Sequence, residues 1–251
     1  MAGMDRPGVG ESAVGSQVRD KVKLLGAVFA IVTLVGAISG ASAQTAGQAL
    51  PSATNPVREI SEIAGEIFAD TAIVVAHANA RTVIVGEKRP TAVPTVTFTE
   101  RLDIDLGGTK LELHSVGRNH SNNSIVMRLP AEKLIFAVDF IPANSRGFRD
   151  WPDACLEEWI ESLKRVEAME FDVLAPGHGA LGDKRHVTAF RGYVEDLSNQ
   201  VLAAVRAGQT QEETKALVDI SKYKDWGGFQ QMGALNVGGM YRPVSANRRP
   251  N

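Results

Sequence analysis

Residues 101–137 carry the pattern that most narrows the folds open to this chain. In "RLDIDLGGTKLELHSV" the apolar residues Leu102, Ile104 and Leu106 alternate with polar ones, and Leu111 and Leu113 resume the alternation. A period of two is the signature of a half-buried strand. Gly107-Gly108 between the runs supplies a turn at positive φ without steric cost. "SIVMRLPAEKLIFAVD" repeats the plan, apolar then "PAEK" then apolar. Two strand pairs, each closed by a tight turn, are therefore expected at the centre of the chain.

The pattern changes downstream. In "DACLEEWIESLKRVEAM" the residues Leu156, Trp159, Ile160, Leu163 and Val166 fall on one helical stripe, with Asp153 as the expected cap. "FDVLA" reads as a strand. Residues 186–208 form a second amphipathic helix, with Val187, Phe190, Val194, Leu197 and Val201 on one face and Gly208 as its stop. Thr210 and Glu213 have the spacing of a capping box that opens a third helix. Upstream, "EISEIAGEIFAD" suits a short helix, "TAIVVA" a strand and "HANARTVIV" a helix. Strands followed by alternating helix and strand indicate an α/β architecture with a mixed sheet and outer helices.

Arg19, Lys21 and Lys23 precede the uncharged apolar stretch Leu24–Ser39, and "ASAQ" follows. This is the layout of a secretory signal peptide cleaved near Ala43. Residues 1–43 are read as that signal, 44–58 as a linker, 59–245 as the folded domain and 246–251 as a tail. The expected location is periplasmic or secreted, with no membrane association after cleavage. Were Leu24–Ser39 retained, the chain would be a tethered interaction domain. A net charge of −2 without a long basic run gives no support to nucleic-acid binding.

Three residues stand at or just beyond strand ends: His120 in "GRNHSNN", Asp139 closing "LIFAVD" and His178 in "APGHG". Two imidazoles and a carboxylate suit zinc. Each is equally at home as a solvated loop residue or a turn residue, and spacing alone leaves both readings open.

The segment "GRNHSNNSIVMRLPAEKLIFAVDFI" resembles the part of the metallo-β-lactamase superfamily in which a histidine ligand, a strand pair and a metal-bridging aspartate follow in order. "VLAPGHG" resembles that family's last histidine ligand, and "EIFADTAIVVAHANAR" the strand and helix after its first metal motif. "KYKDWGGFQQMGALNVGGMYR" is similar to an exported branch of the family. The resemblance runs from about Ile60 to Arg242. It implies an αββα sandwich in which His120 binds one metal, Asp139 bridges two and His178 binds the second. The ions would stand about 3.5–4 Å apart and share a hydroxide.

The family's first motif, H-x-H-x-D-H, has no counterpart here. Its place reads "LPSATNPVREISEIAG", and the chain has five histidines in all. The resemblance thus implies an N-terminally incomplete sandwich whose open sheet edges an oligomer could cover. It also implies one zinc ion rather than two, held by His120, Asp139 and His178, or none. His77 follows a strand and corresponds to no ligand, His114 reads as a strand residue, and His186 as a solvated helix opener. The expected activity is metal-dependent hydrolysis of a small molecule, reduced by the missing motif, with no catalytic residue assigned. The alternative is a non-catalytic remnant or binding protein that keeps the second half of the fold.

Overall fold

A computed structural model describes residues 72–152, 154–177, 179–227 and 231–247. The expected signal, linker and first helix, together with Asp153 and His178, lie outside the described residues.

The described fold opens with a parallel β–α–β unit. β1 (Val75–His77) pairs with β2 (Val96–Phe98), and α1 (Ala78–Gly86) crosses between them. The strand expected over 71–76 therefore begins four residues later and ends one residue later. The β-branched run is completed as a strand only where β2 supplies a partner.

A five-stranded sheet follows in the order β3-β4-β5-β6-β7. β3 (Arg101–Leu106) and β4 (Thr109–Ser115) form the expected hairpin, with Leu106 opposite Thr109. Gly107 and Gly108 take φ of +59° and +87°, as a two-residue primed turn requires. β5 (Ile125–Leu129) and β6 (Leu134–Ala137) form the second antiparallel pair. α2 (Leu156–Glu167) then crosses to β7 (Val173–Pro176), which lies parallel to β6.

The alternation decides what each face of the sheet buries. Val126, Ile135, Ala137 and Leu174 face the helices and join a core with Trp159, Phe190, Tyr193 and Leu197. Leu111, Leu113, Met127, Leu129 and Leu134 point the other way and pack with Val75 and Phe98 of the β–α–β unit. Trp159, Phe190, Leu163 and Leu197 are fully buried. Each such side chain contributes about 1.5–3 kcal/mol from apolar burial.

The helices keep the stripes read from the sequence. In α2 the residues Leu156, Trp159, Leu163 and Val166 are buried, and Ile160 packs partly against the same core. The helix begins at Cys155, whose side chain makes no capping bond. α3 (Lys184–Arg206) buries all five expected residues and also Tyr193. α4 (Gln211–Leu217) has the expected Thr210–Glu213 capping box.

The last helix carries no local helix signal in the sequence. α5 (Gln231–Ala246) contains Gly233, Gly238, Gly239 and Pro243, residues that disfavour an isolated helix. Packing overrides that preference. A Cβ on Gly239 would lie 2.1 Å from the Asp150 carbonyl oxygen, and one on Gly233 would lie 2.4 Å from Ile220. The glycines allow the helix to lie directly on its neighbours. No helix among the described residues is long and apolar enough to cross a membrane.

Candidate functional site

Strand direction assembles the site. β4 is antiparallel to β5, β5 to β6, and β6 runs parallel to β7. The C-terminal ends of β4, β6 and β7 therefore emerge at one edge of the sheet. His120 follows β4, and Asp139 follows β6 by two residues. Position 178 follows β7 by the same two, with Ala137 and Pro176 as the last paired residues. Adjacent strands lie about 4.8 Å apart, so the three loops leave the sheet within reach of one another.

The His120 loop is held by one face of α2. The carbonyl of Asn119 accepts from the Cys155 N–H at 2.8 Å. The Asn119 amide, fully buried, donates to the Ser162 hydroxyl at 3.0 Å. Arg118 pairs with Glu158, and Arg165 donates to the Val116 carbonyl at 3.0 Å. Residues 155, 158, 162 and 165 fall at helical spacing, so α2 presents a single stripe to this loop. Trp159 lies on that stripe. Its ring meets the His120 imidazole edge-on, with centroids 5.8 Å apart.

Asp139 sits in a three-residue turn. Its φ is +65°, and the Phe140 N–H donates across it to the Val138 carbonyl at 2.8 Å. A turn with positive central φ is rare and strained for a residue with a side chain. The Trp159 indole N–H fixes the turn by donating to the Phe140 carbonyl at 3.0 Å. One side chain thus holds both the His120 ring and the Asp139 turn.

The loop after β7 is drawn to the same place. A Cβ on Gly177 would lie 2.6 Å from Val138 Cγ1, so glycine is required for that approach. The residues preceding Asp139 and His178 are in contact, although His178 itself lies outside the described residues. Among the described residues no three His, Cys, Asp or Glu side chains gather closely enough to hold a metal. Two of the three expected donors, His120 and Asp139, are described, and both stand at this edge. An imidazole and a carboxylate are donor types that zinc accepts, and two such residues are fewer than the three a catalytic zinc shell takes.

Three other histidines have structural work. His77 is buried and caps α1: its Nδ1 accepts from the Asn79 N–H at 3.1 Å, while Nε2 donates to the Thr99 carbonyl at 3.0 Å. His114 Nε2 lies 3.3 Å from Glu112. His186, expected to be solvated, instead closes a capping box with Asp183 and reaches Asn144 at 3.1 Å. Its side chain is only 20% exposed. The capping partner Asp183 is held well below the usual carboxylate range, chiefly by the Arg185 guanidinium.

Glu112 is the most enclosed carboxylate near the hairpin, with a side chain 7% exposed. Burial pushes its carboxyl up. Hydrogen bonds from Arg128, His114 and Lys110 and the charge of Arg101 outweigh that, leaving it at about 2.

A profile of the metallo-beta-lactamase superfamily matches residues 46–178. The chain is 29% identical over 112 residues to a metallo-beta-lactamase type 2 of Bacteroides fragilis, covering 43% of this chain and 45% of that protein. It is 25% identical over 154 residues to the 2,4-dinitroanisole O-demethylase subunit alpha of Nocardioides sp. (strain JS1661), covering 61% and 44% respectively. Among solved structures, a metallo-beta-lactamase from Pontibacter korlensis matches with a TM-score of 0.46 at 21% identity, covering 55% of this chain and 62% of that one. The chain spans under half the length of these curated relatives. With more than half of its 251 residues inside the family profile, the chain belongs to the metallo-beta-lactamase superfamily.

Proposed function

We propose that this protein is a metal-dependent hydrolase of a small molecule, working with one zinc ion. The supporting observation is the shared direction of β4, β6 and β7, whose C-terminal ends lie at one sheet edge and precede His120, Asp139 and position 178 in the sequence. His120, Asp139 and His178 would hold the ion. A zinc ion so held lowers the pKa of its water towards neutrality and polarises the scissile bond. The chain's own contribution is orientation: Trp159 sets the His120 ring and the Asp139 turn together, and Gly177 lets the β7 loop approach.

The missing H-x-H-x-D-H motif limits this activity. His77 and His186 engage both ring nitrogens in the fold, and His114 bonds Glu112. They do not replace the lost ligands. The reaction is therefore weaker than a full two-metal site would support. The same ligand count favours a second reading, a non-catalytic binding protein on the family's fold. The sequence layout of residues 1–43 supports export, which the N-terminal sequence of the secreted protein would test.

Zinc titration separates the two functions. The hydrolase reading expects binding that is lost in His120→Ala and His178→Ala, with turnover of an ester, lactone or β-lactam panel lost in the same variants. Turnover unchanged in both variants would exclude this site.

A further inference from the structure

We propose that Asn79 is a positioning residue for His120, set in place by His77. The inference rests on the reading of His120 as a metal ligand. α2 holds the His120 loop at Val116, Arg118 and Asn119. Beyond His120, the Asn79 side-chain amide donates to the Asn122 carbonyl at 2.8 Å. That bond ties the β1–α1–β2 unit to a residue two positions beyond His120.

Asn79 is itself placed with care. Its backbone N–H donates to Nδ1 of His77, whose Nε2 in turn donates to the Thr99 carbonyl beyond β2. The His77 ring also stands edge-on to Phe98, with centroids 6.0 Å apart. An imidazole anchored to both strands therefore fixes the first turn of α1, and with it the direction of the Asn79 side chain. This gives His77 a role without ligation. Both its ring nitrogens are used in transmitting position to the loop of a histidine at the site.

A loop ligand that is ordered before the metal arrives spends less of its binding energy on ordering. Loss of one net hydrogen bond should weaken zinc binding about fivefold. The direction is distinguishable from a general effect on the fold. In Asn79→Asp the donor is lost at nearly constant size, while a carboxylate in the first helical turn favours α1. A role limited to helix stability would leave that variant's loop unchanged.

The test is amide hydrogen exchange on the metal-free full chain, in Asn79→Ala and Asn79→Asp, read at Asn119 and Asn123. Both amides bond within the loop, to the Ser121 carbonyl and hydroxyl. Faster exchange at both amides in both variants, with the Asn79→Asp unfolding midpoint no lower than wild type, is the expected result. Unchanged exchange, or faster exchange that merely follows a lowered midpoint, would overturn the proposal. Zinc titration of Asn79→Ala should show the fivefold loss, and equal affinity would count against positioning. Because exchange is read without metal, failure of His120→Ala to affect zinc binding would sink the ligand reading separately.

Discussion

Gly177 lies against Val138 so closely that a Cβ on it would come within 2.6 Å of the valine Cγ1. The contact joins the two positions immediately before Asp139 and His178. Gly177→Ala must push the two loops apart or strain both. It should cost about 1–3 kcal/mol of stability and weaken zinc binding. Adding Val138→Ala should restore part of both, since the two changes share one contact. Denaturant unfolding and zinc titration of the single and double variants check this.

Trp159 serves two loops at once, so its two functions should separate. Trp159→Phe keeps an aromatic ring beside His120 but removes the N–H bonded to Phe140. The orphaned carbonyl should cost about 1–3 kcal/mol. Trp159→Ala should cost more, about 3–5 kcal/mol, because the side chain is fully buried. Urea unfolding should rank wild type above Phe above Ala.

Glu112 makes stability depend on acid. Its carboxyl is lowered from 4.5 to about 2 in the fold. Above pH 4.5 it is ionised in folded and unfolded chains, and its full contribution is present. As the pH falls from 4.5 towards 2, the unfolded chain takes up the proton first, and stability is lost. The contribution is about 3 kcal/mol. Glu112→Gln should lower stability at pH 7 and flatten its fall between pH 4.5 and 2. Unfolding free energy measured across that window gives the comparison.

Gly239→Ala should reverse the usual helix rule. Propensity alone favours alanine over glycine within a helix by about 1 kcal/mol. Here the new Cβ would meet the Asp150 carbonyl oxygen at 2.1 Å. We expect destabilisation of at least about 2 kcal/mol, seen as a lower thermal midpoint. A raised midpoint would show that packing does not govern α5.

The central sheet and its first helices were legible because their signals are local. Alternation placed β3 and β4, apolar runs flanking PAEK placed β5 and β6, two glycines placed the hairpin turn, and apolar stripes placed α2 and α3. The tail helix α5 was not legible, since its glycines weaken a helix until Asp150 and Ile220 come to lie against them. Of the site, the positions of His120 and Asp139 beyond strand ends are legible in the sequence, and His178 lies outside the described residues. The clamp around them was hidden. Trp159 reads in sequence as one more stripe residue, and nothing local tells that its N–H reaches Phe140. Asn79 and Asn122 lie 43 positions apart, so only the fold pairs them. His186 looked solvated because a histidine in a capping box is less readily recognised than the usual glutamate or glutamine.

Zinc content of the purified full chain, by elemental analysis beside His120→Ala and His178→Ala, tests the central claim most directly. The account predicts about one zinc ion per chain, lost in both variants. Protein that remains metal-free after incubation with zinc, or zinc retained by both variants, would contradict it.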